Sequence, residues 1–367
     1  MSIRNGLSGS VIAETPSRFS PAIVISPAQP GVGGQGAAAA DMLLGLRANG
    51  VRCSYVGPPG HAGLLAAAVG RRPLRRWPAL ARAIERRAVL RRAPGRFALA
   101  YGMPGFVPRD GPGVRVLHHA THHPRRVREA LAAARRRAGG GRGFMTAGEA
   151  RMLEAEIARS DLVRTESAAV TAELADHGVD PARIVTALPG VDSSRYRPGE
   201  PFGELTLAFV GVLSLWKGVD VIVDLARKLA GRGRLAVVGG PVCPWSRALV
   251  AGAPLDARPQ VAPLLAGAHA LVLPSASDGF GYVVLEAMAS GTVPFVSPEV
   301  GAAEVVRRID PRLVQPREQF ADAVVELLDE LPLPELARKA RTLAEGLDGE
   351  AMAERAAAAV LRAAEHR

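Results

Sequence analysis

The run LVLPSASDGFGYVVLEAMASGTVPFVSPEVGAAEVV, Leu271 to Val306, holds the residue types best placed to do chemistry in this chain. An apolar strand pattern stops at Pro274-Ser275, the loop Asp278-Gly279-Phe280-Gly281 follows, and a helical pattern opens near Tyr282. Glycines at the mouth of a helix let backbone N–H groups approach an anion closely, and the helix N-terminus adds a favourable potential for a phosphate. Asp278 and Glu286, eight positions apart, place one carboxylate in the loop and one a turn into the helix, so both can face a cleft. A carboxylate can accept two hydrogen bonds from a ribose diol. Without its flanks, such a pair reads more readily as a surface aspartate on a turn and a salt-bridged helix glutamate.

A second concentration is HHATHH, where His118, His119, His122 and His123 supply four of the chain's eight histidines directly after a strand-like run, Val114 to Leu117. Such a cluster can bind metal, line a substrate cleft or sit in a solvated loop, and spacing alone does not separate these. The early loop Gly31-Val32-Gly33-Gly34-Gln35-Gly36 fits the dinucleotide pattern GxGxxG. Its glycines begin several residues beyond the preceding strand, and the next strand pattern, VRCSYV, ends without the acidic residue that would hold an adenosine ribose.

These residues sit in an alternation of short apolar runs and helical stretches. Ala22 to Ser26 is β-branched, AAAADMLLGLRA is helix-like, and further strands are expected at Phe97 to Tyr101 and Val114 to Leu117, with helical stretches at Ala130 to Arg137 and Glu149 to Ser160. The pattern breaks at Tyr196 to Pro201, then resumes with a strand from Leu205 and a helix from Val219 to Ala230. Strands follow at Leu235 to Val238, Ala270 to Leu273 and Val293 to Val296, with a helix at Tyr282 to Ala289 and helices in the tail. Alternating β and α implies parallel sheets covered on both faces.

Length and composition bound the same picture. At 367 residues, 48% of them hydrophobic, the chain is ordered and long enough for two domains. Two cysteines, Cys53 and Cys243, exclude a disulfide framework and a CxxC zinc site. The first twenty residues lack a signal-peptide core and no apolar run spans a bilayer, so a cytoplasmic protein is expected. Residues 1 to 200 hold 29 Arg and 15 acidic residues, while 201 to 367 hold 17 Lys+Arg and 20 acidic residues. The densest basic stretch, Arg71 to Arg96, has ten Arg and one acid, with Trp77, Leu80 and Ile84 on one side of a basic helix. Few aromatics interleave it, which argues against nucleic acid. Peripheral contact with an anionic membrane at its inner face is the functional option, against a solvated Arg-rich surface.

The chain resembles the retaining family-4 glycosyltransferases of GT-B fold, whose hallmark is an E-x7-E motif within a segment like PSxxEGFGxxxLEAMAxGxPV. Here that segment stands as PSASDGFGYVVLEAMASGTVP. GVDSSRYRP at Gly190 to Pro198 is similar to the family's PxGVDxxxFxP, SDLVRTES at Ser160 to Ser167 to ADxxxxxS, and VGVLSLWKGVD at Val210 to Asp220 to VGRLxxxKGxD. The early GVGGQG is similar to its glycine-rich first loop. Several motifs in the right order span most of the chain.

The resemblance implies an α/β protein of GT-B type, two facing Rossmann-like domains with parallel sheets and a cleft between them. Residues 1–198 would bind acceptor, 199–345 would bind nucleotide sugar, and 346–367 would form a helix packing back toward the first domain. The implied activity is transfer of a sugar from a nucleoside-diphosphate donor to an unknown acceptor with retention of configuration. By position, Glu286 would hold the ribose, Asp278 would face the donor sugar, and Gly279, Phe280 and Gly281 would offer amides. Lys217 would neutralise the diphosphate, Gly211, Gly33 and Gly34 would line the donor, and His118 would face its sugar, with His119 and His122 next in line. Charge stabilisation on the leaving diphosphate suffices for such a transfer, so no metal or other cofactor is expected. Two departures stand out: Asp278 replaces the first glutamate, and Val212 replaces the arginine after the strand glycine. A catalytically degenerate nucleotide-sugar binder, or a nucleotide-sugar epimerase of the same fold, is the alternative.

Overall fold

A computed structural model describes residues 17–30, 33–57, 87, 89–91, 95–141 and 145–367. Most of the basic stretch from Arg71 to Arg96, with Trp77, Leu80 and Ile84, lies outside the described residues, as do Gly31 and Val32.

The strands are β1 (Ala22–Ile25), β2 (Cys53–Val56), β3 (Leu99–Gly102), β4 (Val114–His118), β5 (Leu162–Thr165), β6 (Ile184–Thr186), β7 (Thr206–Val210), β8 (Arg234–Val238), β9 (Leu255–Ala257), β10 (Ala270–Leu273) and β11 (Val293–Val296). The first six form one sheet in the order β2-β1-β3-β4-β5-β6, and the last five a second in the order β11-β10-β7-β8-β9. Every ladder is parallel. Parallel strands are joined by crossovers that cover both faces, and β1, β3, β5, β10 and β11 are accordingly buried at every residue.

Among the described residues the helices are α1 (Gly33–Ala48), α2 (Pro124–Arg137), α3 (Ala147–Arg159), α4 (Ala168–Asp176), α5 (Val219–Lys228), α6 (Pro244–Val250), α7 (Val261–Gly267), α8 (Tyr282–Ala289), α9 (Ala303–Val306), α10 (Phe320–Glu330), α11 (Leu333–Glu345) and α12 (Gly349–Ala364). Helix α2 starts six residues before the expected Ala130, because Pro124 serves at its first turn and His123 caps it, its Nδ1 accepting from the Arg125 amide. Among the described residues no helix is long and apolar enough to cross a membrane.

Strand order fixes where a ligand can enter. In the first sheet β1 lies between β2 and β3, and in the second β7 lies between β8 and β10, so the crossovers leave in opposite directions at these strands. Such switch points open a crevice beyond the carboxyl ends of the strands. The loops after β1, β3 and β4 and the loops after β7 and β10 therefore bound the crevices.

The C-terminal helix does not join the core of the second sheet. Ala357, Val360 and Ala364 of α12 pack with Ile23, Ala39 and Leu46 of the first sheet's core. Contact with α1 is close enough that a Cβ on Gly45 would lie 2.1 Å from the Ala353 carbonyl oxygen. Glycine to alanine stabilises an open helix position by about 1 kcal/mol. At Gly45 we expect the opposite sign, a loss of about 1–3 kcal/mol in urea denaturation, because a backbone carbonyl cannot give way as a side-chain tip can.

Candidate functional site

Two loops of the second sheet are laced together beside its switch point. After β7, the Gly211 amide donates to the Val238 carbonyl at 2.9 Å, and a Cβ on Gly239 would lie 1.9 Å from the Gly211 oxygen, so the β7 and β8 loops meet glycine to glycine. Val212 then points outward, 41% exposed. Further along this loop the Trp216 indole N–H donates to the Ser277 carbonyl, and the Ala276 amide donates to the Trp216 carbonyl at 2.7 Å. These bonds bring Lys217 against the loop after β10, where its Nζ donates to the Asp278 carboxylate.

Asp278 is fixed on its other side by β-bridge contacts, its amide donating to the Glu299 carbonyl at 2.9 Å and its carbonyl accepting from Gly301 at 3.0 Å. Gly281, at φ 87°, turns the chain into α8 in a conformation that a Cβ would strain. Among the described residues no protein group accepts the amide hydrogens of Gly279, Phe280 and Gly281. Three donors and a helix N-terminus beside an ammonium group form a seat for an anion. The Phe280 side chain is buried in the second core and meets Tyr282 edge-on at 6.1 Å, so only its backbone faces this seat.

Glu286 takes a different partner from Asp278. Burial raises its carboxyl above the usual range, against a hydrogen bond from the Tyr196 hydroxyl and the charge of Arg195. Tyr196 is in turn held by its carbonyl, which accepts from Arg341 at 2.8 Å. The GVDSSRYRP segment thus supplies the neighbour of the helix carboxylate.

Across the crevice, the four histidines of HHATHH go to separate places. Ala120 and Thr121 press on Gly279, where a Cβ would lie 2.4 Å from the Ala120 carbonyl carbon and 2.7 Å from the Thr121 nitrogen. His122 bridges the halves, with Nδ1 at 2.7 Å from Glu173 and Nε2 at 2.9 Å from the Glu299 carbonyl. Burial works against the His122 charge, but the Glu173 carboxylate and the Glu299 carbonyl outweigh it and the pKa rises; Glu173 is correspondingly lowered, its hydrogen bond from His122 overcoming burial. A raised histidine stabilises below its unfolded value and a lowered glutamate above its own, so this bridge is strongest between about pH 4.5 and 6.5. His123 stacks on His177 at 3.9 Å, and His119 is fully buried, its pKa pushed down to about 4 mainly by that burial. Among the described residues no group of His, Cys, Asp and Glu is arranged to hold a metal ion.

His118 lies in a buried polar cluster. The Tyr101 hydroxyl donates to its Nδ1, Arg164 Nη1 reaches the same nitrogen at 2.8 Å, and Arg164 also donates to Glu166 at 3.1 Å. The Tyr282 hydroxyl, from the first residue of α8, donates to Glu166 across the crevice. Burial first, then the Arg164 charge, drives the His118 pKa well below its ordinary value. Gly34, the second residue of α1, would have its Cβ 4.0 Å from Tyr282, so it faces the crevice, while Gly33 opens the helix.

Asp41 of α1 closes the cluster, lining a small cavity with Arg164, Gly190 and Met352. Its pKa is pushed up to about 6, by burial first, opposed by Arg164 and aided by Glu166. A raised carboxyl costs stability once ionised, so the penalty is absent below about pH 4 and complete above about pH 6. Asp41→Asn is therefore expected to stabilise the fold by about 1–3 kcal/mol at pH 7.5 and by almost nothing at pH 4. Urea denaturation at the two pH values checks this, and equal gains at both would contradict it.

Arg164, Glu166, Tyr101 and Asp41 were not legible as site residues from motifs, since SDLVRTES matches the family pattern through its outer positions. Arg164 lies on β5 while Glu166 follows just past the strand, and the two are joined by a hydrogen bond.

Residues 204–330 match the family of glycosyl transferases group 1. The D-inositol 3-phosphate glycosyltransferase of Mycobacterium avium (strain 104) is 35% identical over 197 residues, covering 46% of each chain. The chain thus spans less than half the length of the curated relatives it matches. Among solved structures, sucrose-phosphate synthase from Thermosynechococcus elongatus superimposes with a TM-score of 0.69 at 17% identity, over 94% of this chain and 99% of that one. Anabaena HepE, solved in complex with UDP-glucose, gives 0.62 at 13% identity over 93% and 99%. The fold is therefore that of the GT-B glycosyltransferases, and the stretch holding Lys217, Asp278 and Glu286 is the one that matches glycosyl transferases group 1.

Proposed function

We propose that the protein is a glycosyltransferase that moves a sugar from a nucleoside-diphosphate donor to an acceptor with retention of configuration. The observation that carries this reading is the run of amides without a protein acceptor at Gly279 to Gly281 beside Lys217, inside the stretch that matches glycosyl transferases group 1. The donor diphosphate rests on that seat, where the helix N-terminus and the ammonium group stabilise the negative charge that grows as the sugar–phosphate bond breaks. Asp278, held by Lys217, stands where the sugar would lie, and Glu286 lies one turn further along α8 on the ribose side. The first sheet's loops face the sugar and receive the acceptor, with His118 buried at the end of β4 behind them.

The test is a thermal-shift and nucleotide-release screen of the purified chain against UDP-, GDP-, ADP- and dTDP-sugars, with Glu286→Ala as control. Stabilisation and turnover with one donor, lost in the control, supports the reading; no response to any donor sinks it. Exposed Val212 at the arginine position favours one second reading, a nucleotide-sugar binder without turnover. Under that reading the wild type binds a donor and transfers nothing, and the double substitution Val212→Arg with Asp278→Glu creates activity.

A further inference from the structure

We infer that Tyr282 and Glu166 are positioning residues: while the halves are closed, the Tyr282 hydroxyl holds Glu166 away from His118 Nε2, leaving His118 as a neutral ring whose buried Nε2–H has no acceptor. The arrangement itself is a matter of hydrogen-bond bookkeeping around one ring.

Arginine has only donors, so the 2.8 Å approach of Arg164 Nη1 makes His118 Nδ1 an acceptor, and the Tyr101 hydroxyl beside it then donates. The ring proton must then sit on Nε2, which is buried and has no hydrogen-bond partner. The nearest acceptor is Glu166 Oε1, 3.6 Å away and beyond hydrogen-bond reach. That same oxygen already accepts from Arg164, two residues before it, and from Tyr282 on α8 of the other half. Withdrawing Tyr282 frees one of its lone pairs, and a shift of under about 1 Å lets it accept from Nε2.

The consequence is a change of protonation. A carboxylate hydrogen-bonded to a buried imidazole favours the imidazolium, whereas burial and Arg164 favour the neutral ring. The groups facing His118 are Tyr101 from β3, Arg164 from β5, Glu166 just past its end, Tyr282 from α8 and neighbouring His119, with Asp41 of α1 beyond Arg164. From the second half the Asp278 charge also acts on Glu166, but Tyr282 is the one that hydrogen-bonds it, so its hydroxyl reports whether the crevice is closed. Because α8 begins at the anion seat, a ligand that draws α8 inward also fixes the state of His118.

The experiment is nitrogen-detected NMR of the full chain with labelled histidine rings, the His118 signals being those missing from His118→Gln. In the wild type we expect a neutral ring protonated on Nε2 down to pH 5. In Tyr282→Phe the same ring should titrate at least one pH unit higher, a tenfold or greater change in its protonation constant. Adding Glu166→Gln to Tyr282→Phe should cancel the shift. Tyr282→Leu is read the same way if the phenylalanine variant does not fold. An unchanged His118 titration without the hydroxyl, or a shift that survives Glu166→Gln, overturns the inference. No substrate enters the measurement, so a protein that transfers no sugar refutes the proposed function and leaves this result standing, and the reverse holds too.

Discussion

Replacing Lys217 by alanine is expected to lower kcat/KM for sugar transfer by about 10²- to 10³-fold, the range seen when one preorganised group facing developing charge is removed. The size follows from scarcity: between Gly211 and Gly218 and between Pro274 and Gly281, Lys217 is the single positive residue, and the arginine position is Val212. Its ammonium is bound to Asp278, and the two side chains are only 17% and 12% exposed. The substitution therefore also leaves a poorly hydrated carboxylate unpaired, at a cost of about 1–3 kcal/mol in stability. Lys217→Met with Asp278→Asn leaves no unpaired charge, so it should recover the stability. Steady-state kinetics with urea denaturation gives both numbers, and a kcat/KM within threefold of wild type would remove Lys217 from the mechanism.

Gly279→Ala should lower kcat by about 100-fold while leaving each half folded. Its Cβ would meet the Ala120 carbonyl carbon and oxygen and the Thr121 nitrogen at 2.4, 2.5 and 2.7 Å, all of them backbone atoms. Ordinary contact requires the two loops to part by about 1 Å, and misplacement of that size costs about two orders of magnitude in a positioned reaction. The contacts between the halves that surround this point would loosen together: the His122 bond to Glu299, the Ser167 hydroxyl on the Gly279 carbonyl and Thr121 beside Ser277. Kinetics alongside small-angle scattering would detect the loss and the wider crevice. Wild-type kcat with unchanged dimensions would mean that the halves do not meet here during turnover.

Much of the second half could be read from residues alone. Strands at Ala270 to Leu273 and Val293 to Val296 and the helix Tyr282 to Ala289 fall where apolar runs and glycines place them. The reason is physical: a buried parallel strand is uniformly apolar, and Gly281 and Gly291 carry the positive φ that marks the helix ends. Strands β5, β6 and β9 are three or four residues long, and β5 contains Arg164, so no apolar run announces them. The site divides the same way. Asp278, Lys217 and the glycines lie in continuous motifs, whereas Glu166 and Tyr282 are 116 positions apart and acquire meaning only when the halves meet. The Tyr196 partner of Glu286 was out of reach for the same reason.

Helix α12 carries one last consequence. It follows the second sheet in sequence but completes the core of the first, with Asp348 bridged to Val191 where the chain crosses back. During synthesis residues 204–345 can therefore collapse on their own strands as they emerge, while the earlier half waits for a partner still to be made. The half translated first is finished last, and until residues 349–364 appear, α1 presents Leu46 and Ala39 uncovered on the α12 side to whatever chaperone attends the ribosome.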